Sequence, residues 1–147
     1  MHTVGLVFID TRFDDVDSRV GEQSNYDYYS IGGNFHDYIY TKNGKEVSEA
    51  NFDEVDWEKM FTPHRREFEF EGETVLGPEV THHSWIVTDL DGNRSENMED
   101  THWFGSPEAA EAKKEWHEKV EAYVRSVSEK SDEDRKYIKV YVVDYHI

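Results

Sequence analysis

Residues 137–147, YIKVYVVDYHI, contain the pattern that decides the fold. Apolar side chains dominate this stretch, and every second residue from Val140 to His146 shares one face of an extended chain. We therefore predict that the stretch is a β-strand and that Asp144 and His146 point the same way. Side chains two residues apart on a strand can bind one ligand together, so this face is also a candidate site.

The segment before this strand has a helical period. Ser106, Pro107 and Glu108 are typical of an N-cap, a first helical position and a first helical turn. The following apolar residues recur three and four positions apart, which predicts one buried face of a long helix. We expect Trp103 and Phe104 to pack under the first turn of this helix. The predicted buried positions are Ala109, Ala112, Trp116, Val120, Tyr123, Val124 and Val127.

Segments nearer the N-terminus add strands and a short helix. Residues 5–10, GLVFID, predict a buried first strand with two apolar faces. Residues 67–71, EFEFE, alternate strictly, which predicts a half-exposed strand with an anionic outer face. Residues 48–62 have near-helical spacing that Pro63 ends, whereas the polar residues 11–25 predict a loop.

Together these elements predict a single α+β domain over residues 1–147. Its expected architecture is a mostly antiparallel sheet packed by one long helix in the C-terminal half, with one additional short helix. A chain of this length can bury one core, and an aromatic content of 14% argues against disorder.

The charge of the chain restricts its partners. There are 33 Asp and Glu residues against 16 Lys and Arg, which gives a formal net charge of −17. Such a polyanion is repelled by nucleic acids and anionic membranes and is attracted by basic protein grooves. We therefore expect a basic protein partner, no direct nucleic-acid binding and no membrane binding. The absence of cysteine and of a signal-like N-terminal segment favours an intracellular protein.

Eight histidines supply the commonest metal ligand in proteins. Asp144 and His146 could bind one metal ion if further ligands arrive from elsewhere in the fold. Asp10 is one candidate, because it ends the predicted first strand; His83 and His102 are the others. Imidazole and carboxylate donors without thiols favour zinc over manganese or iron. The alternative interpretation is that Asp144 and His146 are simply an exposed strand end.

Enzymatic activity is less well supported than binding. Gly32-Gly33 lacks the glycine and lysine of a phosphate-binding loop, and no serine lies in a nucleophile-elbow context. A hydrolytic metal centre stays open, because carboxylates that could act as a general base are abundant. We expect a non-enzymatic binding protein. A metal-dependent hydrolase of a phosphate ester or a defence signalling nucleotide is one alternative, and an acidic structural protein is another.

Three motifs resemble those of a family of small phage and prophage proteins: YDYYSIGG (26–33), HWFG (102–105) and VVDYHI (142–147). They occur here in the same order as in that family. Residues 34–35 are Asn-Phe where the family has Arg-Trp, and Tyr145 stands where it has Cys. Any role of that Arg or that Cys is therefore absent from this chain.

Together with size and charge, this resemblance implies an anti-CRISPR protein that inhibits a Cas9-type nuclease in the host bacterial cytoplasm. A structural zinc ion would brace the fold. Acidic segments would dock on the basic nucleic-acid channel of that CRISPR effector nuclease. The implied partner-binding residues are Asp53, Glu54, Asp56, Glu58, Glu67, Glu69, Glu71 and Glu73.

Overall fold

A computed structural model describes residues 1–21 and 28–146 of the chain. Within them, strands and helices alternate irregularly along the sequence. The strands are β1 (His2–Asp10), β2 (Tyr28–Ile31), β3 (Ile39–Tyr40), β4 (Glu46–Val47), β5 (Glu49–Asn51), β6 (His64–Phe70), β7 (Glu73–Val80), β8 (Ile86–Thr88), β9 (Arg94–Glu96) and β10 (Ile138–His146). The helices are α1 (Val16–Gly21), α2 (Trp57–Phe61), α3 (Pro107–Ser128) and α4 (Asp132–Arg135), with 3₁₀ turns at Gly33–Phe35, Phe52–Glu54 and Glu99–Thr101.

The central sheet has six strands, in the order β2-β10-β1-β8-β9, with β5 pairing a second segment of β10. β1 and β10 pair antiparallel over their full length, from His2 opposite His146 to Asp10 opposite Ile138. β1 pairs with β8 in parallel, and the other pairings are antiparallel. The predicted α+β class and the mostly antiparallel sheet are therefore confirmed.

Alternation along β1 divides the apolar core into two layers. Leu6 and Phe8 face the layer that contains α3, and Val7 and Ile9 face the opposite layer. All four side chains are buried, and the predicted two-faced first strand is confirmed. The α3 layer is the larger, so the long helix and the sheet enclose most of the core.

Helix α3 begins as its sequence predicts. The Ser106 side chain accepts a hydrogen bond from the Ala109 backbone N–H at 3.1 Å, with Pro107 as the first helical residue. Five of the seven predicted stripe positions are buried and Ala112 and Tyr123 are half-buried. The buried five are Ala109, Trp116, Val120, Val124 and Val127.

Several local expectations are wrong. Of residues 48–62, only Trp57–Phe61 form an α-helix, because Glu49–Asn51 pair with β10 as a strand. Trp103 and Phe104 are fully exposed rather than packed under α3, because the chain turns outward at these residues before the helix. Residues 16–21 form helix α1 rather than a loop: the Asp15 carboxylate accepts a hydrogen bond from the Ser18 backbone N–H at 2.8 Å and caps the first turn. Residues 11–15 have no helix or strand, as predicted, and residues 22–25 lie outside the described residues.

Strands β6 and β7 form a separate two-stranded sheet, which we call the acidic hairpin (residues 64–80). Glu71 and Gly72 form its turn with φ of 52° and 80°, as a type I′ turn requires. Phe68 and Phe70 remain 53% and 67% exposed. The prediction that one face of this strand is buried is therefore wrong. Within the described chain, no second layer covers the face that contains Phe68 and Phe70.

None of the described helices is long and apolar enough to cross a membrane.

Candidate binding site

The buried carboxylate of Asp144 is the centre of a polar group at one end of the central sheet. Asp144 lies opposite Val4, and its side chain shares a strand face with His146, as the alternation predicts. His2 Nδ1 lies 2.8 Å from Asp144 Oδ1, and the Asn34 backbone N–H donates to Oδ2 at 2.8 Å. Two distant segments of the chain therefore already supply hydrogen-bond partners to this carboxylate.

His146 belongs to a row of rings across three strands. Its imidazole stacks on Tyr28 with ring centroids 4.3 Å apart and meets His2 edge-on at 4.8 Å. The register explains the row, because β10 places His146 between Tyr28 of β2 and His2 of β1. Asp144 and His146 are recognisable from the sequence, but His2 is not, because its position opposite His146 depends on the register of β1 and β10.

Gly33 allows the approach of the Asp144 carboxylate. A Cβ atom at Gly33 would lie 2.5 Å from Asp144 Oδ2, and its φ of 52° is in the left-handed region. Gly33 of the YDYYSIGG motif therefore packs closely on Asp144, whereas Gly32 packs against Ser48. Tyr26 and Asp27 of this motif, and Ile147 of the last motif, lie outside the described residues.

The structure does not bring Asp10 to this pair. Antiparallel pairing places Asp10 opposite Ile138, six residues along the strand from Asp144, which is roughly 20 Å. The Asp10 carboxylate accepts hydrogen bonds from the Arg12 guanidinium at 2.7 and 3.0 Å, and these bonds lower the pKa of Asp10. Asp10 is therefore part of a surface ion pair at the opposite end of the sheet.

His83 and His102 have other surroundings. His83 is buried between β7 and β8, hydrogen-bonded to the Thr81 hydroxyl, with its ring 5.4 Å from that of His117. His102 is exposed at the end of a 3₁₀ turn. Across residues 1–21 and 28–146, no group of three or more His, Asp or Glu side chains is placed to hold a metal ion. The five predicted ligands do not form one centre, and zinc binding stays a prediction.

The first acidic segment, Asp53 to Glu58, is partly used by the fold. Asp53 forms an ion pair with Arg135 at 2.9 Å. Asp56 caps helix α2, because its Oδ1 accepts a hydrogen bond from the Lys59 backbone N–H at 3.1 Å. Only Glu54 and Glu58 remain as exposed carboxylates without an ion pair to a described side chain.

The second acidic segment, Glu67 to Glu73, lies on the acidic hairpin. Direct pairs across an antiparallel ladder share a face, so the register assigns each side chain to a face. Glu67 and Glu69 share one face with Thr74 and Leu76, and Phe68 and Phe70 share the other with Val75 and Glu73. All these side chains are exposed, and none of the four glutamates forms an ion pair with a described side chain.

A cleft of about 960 Å³ opens between the base of the acidic hairpin and the body of the protein. Its floor is built from Tyr38 and Tyr40 around β3 and from His82 and His83 in the segment between β7 and β8. Sequence analysis singled out His83 but not its neighbours. The adjacent His82-His83 pair and the alternate Tyr38 and Tyr40 were the available signals, but neither indicates that the two segments meet.

The rings in the cleft stack face to face. His82 lies between Tyr38 and Tyr40, with ring centroids 4.2 and 4.8 Å away. Its Nδ1–H donates to the Tyr38 carbonyl at 2.8 Å, which fixes the ring because a carbonyl can only accept. The Tyr40 hydroxyl lies 3.2 Å from His64 Nε2 on the hairpin. The floor is therefore a rigid aromatic platform.

Burial shifts the pKa of two members of this floor, His83 and Tyr38. It lowers the pKa of His83 to about 4, so this imidazole is neutral at pH 7. It also raises the pKa of Tyr38 above its usual range, and the Tyr38 hydroxyl accepts a hydrogen bond from the Ser84 backbone N–H at 3.1 Å. Neither group adds charge to the cleft at pH 7.

Comparison with family models, with curated proteins and with solved structures finds no match for this chain.

The cleft and the acidic hairpin form one continuous surface. Phe68 lies both on the apolar face of the hairpin and in the wall of the cleft, and Glu79 and Val80 add the end of β7. Aromatic rings, exposed apolar side chains and unpaired carboxylates thus lie side by side. Such a surface can bind a cationic and partly apolar partner through stacking, burial and charge.

Proposed function

We propose that the protein is a non-enzymatic inhibitor that binds the basic nucleic-acid-binding surface of a partner protein. From the motifs that resemble phage proteins, we propose that the partner is a Cas9-type CRISPR nuclease in the host bacterial cytoplasm. The acidic hairpin is the observation that carries the proposal. It exposes four glutamates and four large apolar side chains on a two-stranded element.

The hairpin suits insertion into a basic groove. Its tip, residues 67–76, contains four glutamates and no lysine or arginine, so the tip carries a formal charge of −4. The exposed Phe68, Phe70, Val75 and Leu76 add apolar area that a groove could bury. Glutamates would steer the encounter, and the aromatic rings would supply much of the affinity once water is excluded.

The first acidic segment is a weaker contact surface under this proposal. Asp53 is paired with Arg135 and Asp56 caps α2, so both carboxylates would have to leave stabilising partners. We therefore assign the main contact to Glu67, Glu69, Glu71 and Glu73, with Glu54 and Glu58 at most peripheral.

The proposal can be tested with a matched pair of charge-reversal variants against a panel of purified type II-A Cas9 nucleases. One variant combines Glu67→Lys with Glu69→Lys on the hairpin. The control combines Glu115→Lys with Glu118→Lys on the exposed side of α3, which changes the net charge equally. We expect the unsubstituted protein to bind and to inhibit DNA cleavage, and the hairpin variant to bind at least about ten-fold more weakly than the control.

Two results would contradict the proposal. Unchanged cleavage by every nuclease at excess protein would exclude this partner class. Equal weakening by both variants would show that overall charge, rather than the hairpin, drives association. Hydrolysis of a cyclic nucleotide that requires added zinc or manganese would instead favour the hydrolase alternative.

A further inference from the structure

We infer that the cleft beside the acidic hairpin binds the guanidinium group of an arginine side chain, presented by an extended segment of a basic protein. The inference rests on the proposed function for the identity of that protein, but the chemistry of the cleft is argued from its own residues.

The walls of the cleft present accessible aromatic rings. Trp85 is 37% exposed, Phe68 is 53% exposed and Phe35 is half-buried. These three rings come from three different segments of the chain and line the same cleft. Aromatic faces carry negative electrostatic potential, so they attract a cation that has lost part of its hydration.

The charged side chains around the cleft also favour a cation. Four carboxylates line it and Lys113 is the one lysine or arginine among the described lining residues. The lining therefore disfavours phosphate or carboxylate ligands and favours a cation. The four carboxylates are those of Asp37, Glu46, Glu79 and Glu99.

A cation–π contact already exists at one ring of the cleft floor. The Lys59 ammonium lies 4.5 Å from the centroid of the Tyr40 ring, one member of the cleft floor. Elsewhere, the Arg12 guanidinium lies 4.6 Å from the centroid of Tyr137. Both distances are within the range of a cation–π contact. The Tyr40 ring therefore already contacts a cation within the folded chain.

Guanidinium fits the cleft better than ammonium does. It is planar, so it can stack on an aromatic wall while its five N–H donors reach carboxylates at the rim, such as Glu46 and Glu79. An ammonium group is compact and more strongly hydrated. A volume of about 960 Å³ exceeds one side chain, so residues that flank the arginine also have room. Phe68 connects the cleft to the hairpin, along which such a segment would run.

The test uses three capped tripeptides and no nuclease. Gly-Arg-Gly is compared with Gly-citrulline-Gly, which has nearly the same shape without the charge, and with Gly-Lys-Gly. Binding is followed by NMR titration, with the indole N–H signals of the four tryptophans as local reporters. We expect saturable binding of the arginine peptide, at least about five-fold tighter than that of either other peptide. The Trp85 signal should shift, whereas that of the exposed Trp103, which does not line the cleft, should not.

A matched pair of variants locates the site. Glu46→Gln combined with Glu79→Gln removes two exposed rim carboxylates, and Glu115→Gln combined with Glu118→Gln removes two on α3. The rim variant should weaken the arginine peptide by at least about three-fold, and the α3 variant should leave its affinity unchanged. Equal binding of the arginine and citrulline peptides, equal binding of the arginine and lysine peptides, or equal effects of the two variants would overturn the inference.

This result is separable from that of the nuclease experiment. Arginine-peptide binding without nuclease binding would retain the cleft assignment and reject the proposed partner. Nuclease binding without arginine-peptide binding would retain the proposed function and reject the role of the cleft.

Discussion

Strands β1 and β6 both contain phenylalanine, but the two strands bury it to different extents. Phe8 of β1 is fully buried, whereas Phe70 of β6 is 67% exposed. β1 lies between β10 and β8, and helix α3 covers the face that contains Phe8. Among the described strands, β6 pairs only with β7. The alternation of a strand therefore fixes which side chains share a face, but the neighbours of the strand decide whether that face is buried.

The same contrast applies to the acidic residues. In the body of the protein, Asp53 and Asp56 form an ion pair and a helix cap, whereas Glu67 and Glu69 on the hairpin make neither contact with a described side chain. Substitutions in the body and in the hairpin should therefore have different effects. A substitution in the body should lower the free energy of unfolding, and a substitution in the hairpin should weaken the binding of a partner.

The largest expected difference is between two phenylalanine truncations. Phe8 stacks on Trp57 at 5.8 Å and meets Tyr123 edge-on at 5.1 Å, so Phe8→Ala should lower the free energy of unfolding by about 3–5 kcal/mol. Phe70→Ala should change it by less than about 0.5 kcal/mol. Urea denaturation followed by circular dichroism measures both. A large loss at Phe70 would mean that the hairpin face is covered in solution.

The second prediction concerns the pH dependence of the free energy of unfolding, which should depend on His83 at the junction of the hairpin and the body. Burial lowers the pKa of His83 to about 4 in the folded protein, against 6.5 for an unperturbed histidine. As pH falls through this window the unfolded chain binds a proton that the folded chain does not, so stability should decrease by up to about 2–3 kcal/mol between pH 6.5 and pH 4.

The free energy of unfolding measured across this range tests the assignment to His83. His83→Gln should make the pH profile shallower in that window, with His102→Gln at an exposed position as the matched control. A profile that keeps its slope in His83→Gln would reject the assignment.

The smallest effect compares two glycines with positive φ. Gly72 in the hairpin turn has no atom within 4 Å of an added Cβ, whereas a Cβ at Gly33 would meet Asp144 at 2.5 Å. Both alanine substitutions carry the cost of a left-handed conformation, but Gly33→Ala should lower the free energy of unfolding by about 1–2 kcal/mol more than Gly72→Ala. Thermal denaturation of the two variants side by side gives this difference. Similar melting temperatures would mean that the Asp144 group tolerates displacement.

Local patterns were sufficient for the main elements of the fold. Ser106 and Pro107 predict the start of α3, and the alternation in residues 138–146 predicts β10, because capping and strand periodicity depend on nearby residues only. The position of Asp10 could not be predicted in this way. It depends on the direction in which β1 pairs with β10, and that pairing joins segments at opposite ends of the described chain.

The candidate site was predictable only in part. Alternation in residues 67–71 predicts the carboxylate and phenylalanine faces of the hairpin, but it does not indicate that both faces stay open. The cleft requires Tyr38 and Tyr40 to meet His82 across more than forty residues of sequence. Stacking between such segments has no local periodicity, so composition and spacing could not reveal it.

The pairing of β1 with β10 also has a consequence for biosynthesis. Residues 2–10 leave the ribosome before their partner, residues 138–146, which is made almost the whole described chain later. At ordinary translation rates this delay is roughly five to twenty-five seconds. Until then the apolar segment of β1 lacks β10, the strand that pairs with it over its full length. Folding should also be slow, because the loop that this pairing closes spans most of the described chain. The acidic chain that surrounds it repels other copies of itself, which should limit aggregation during that interval.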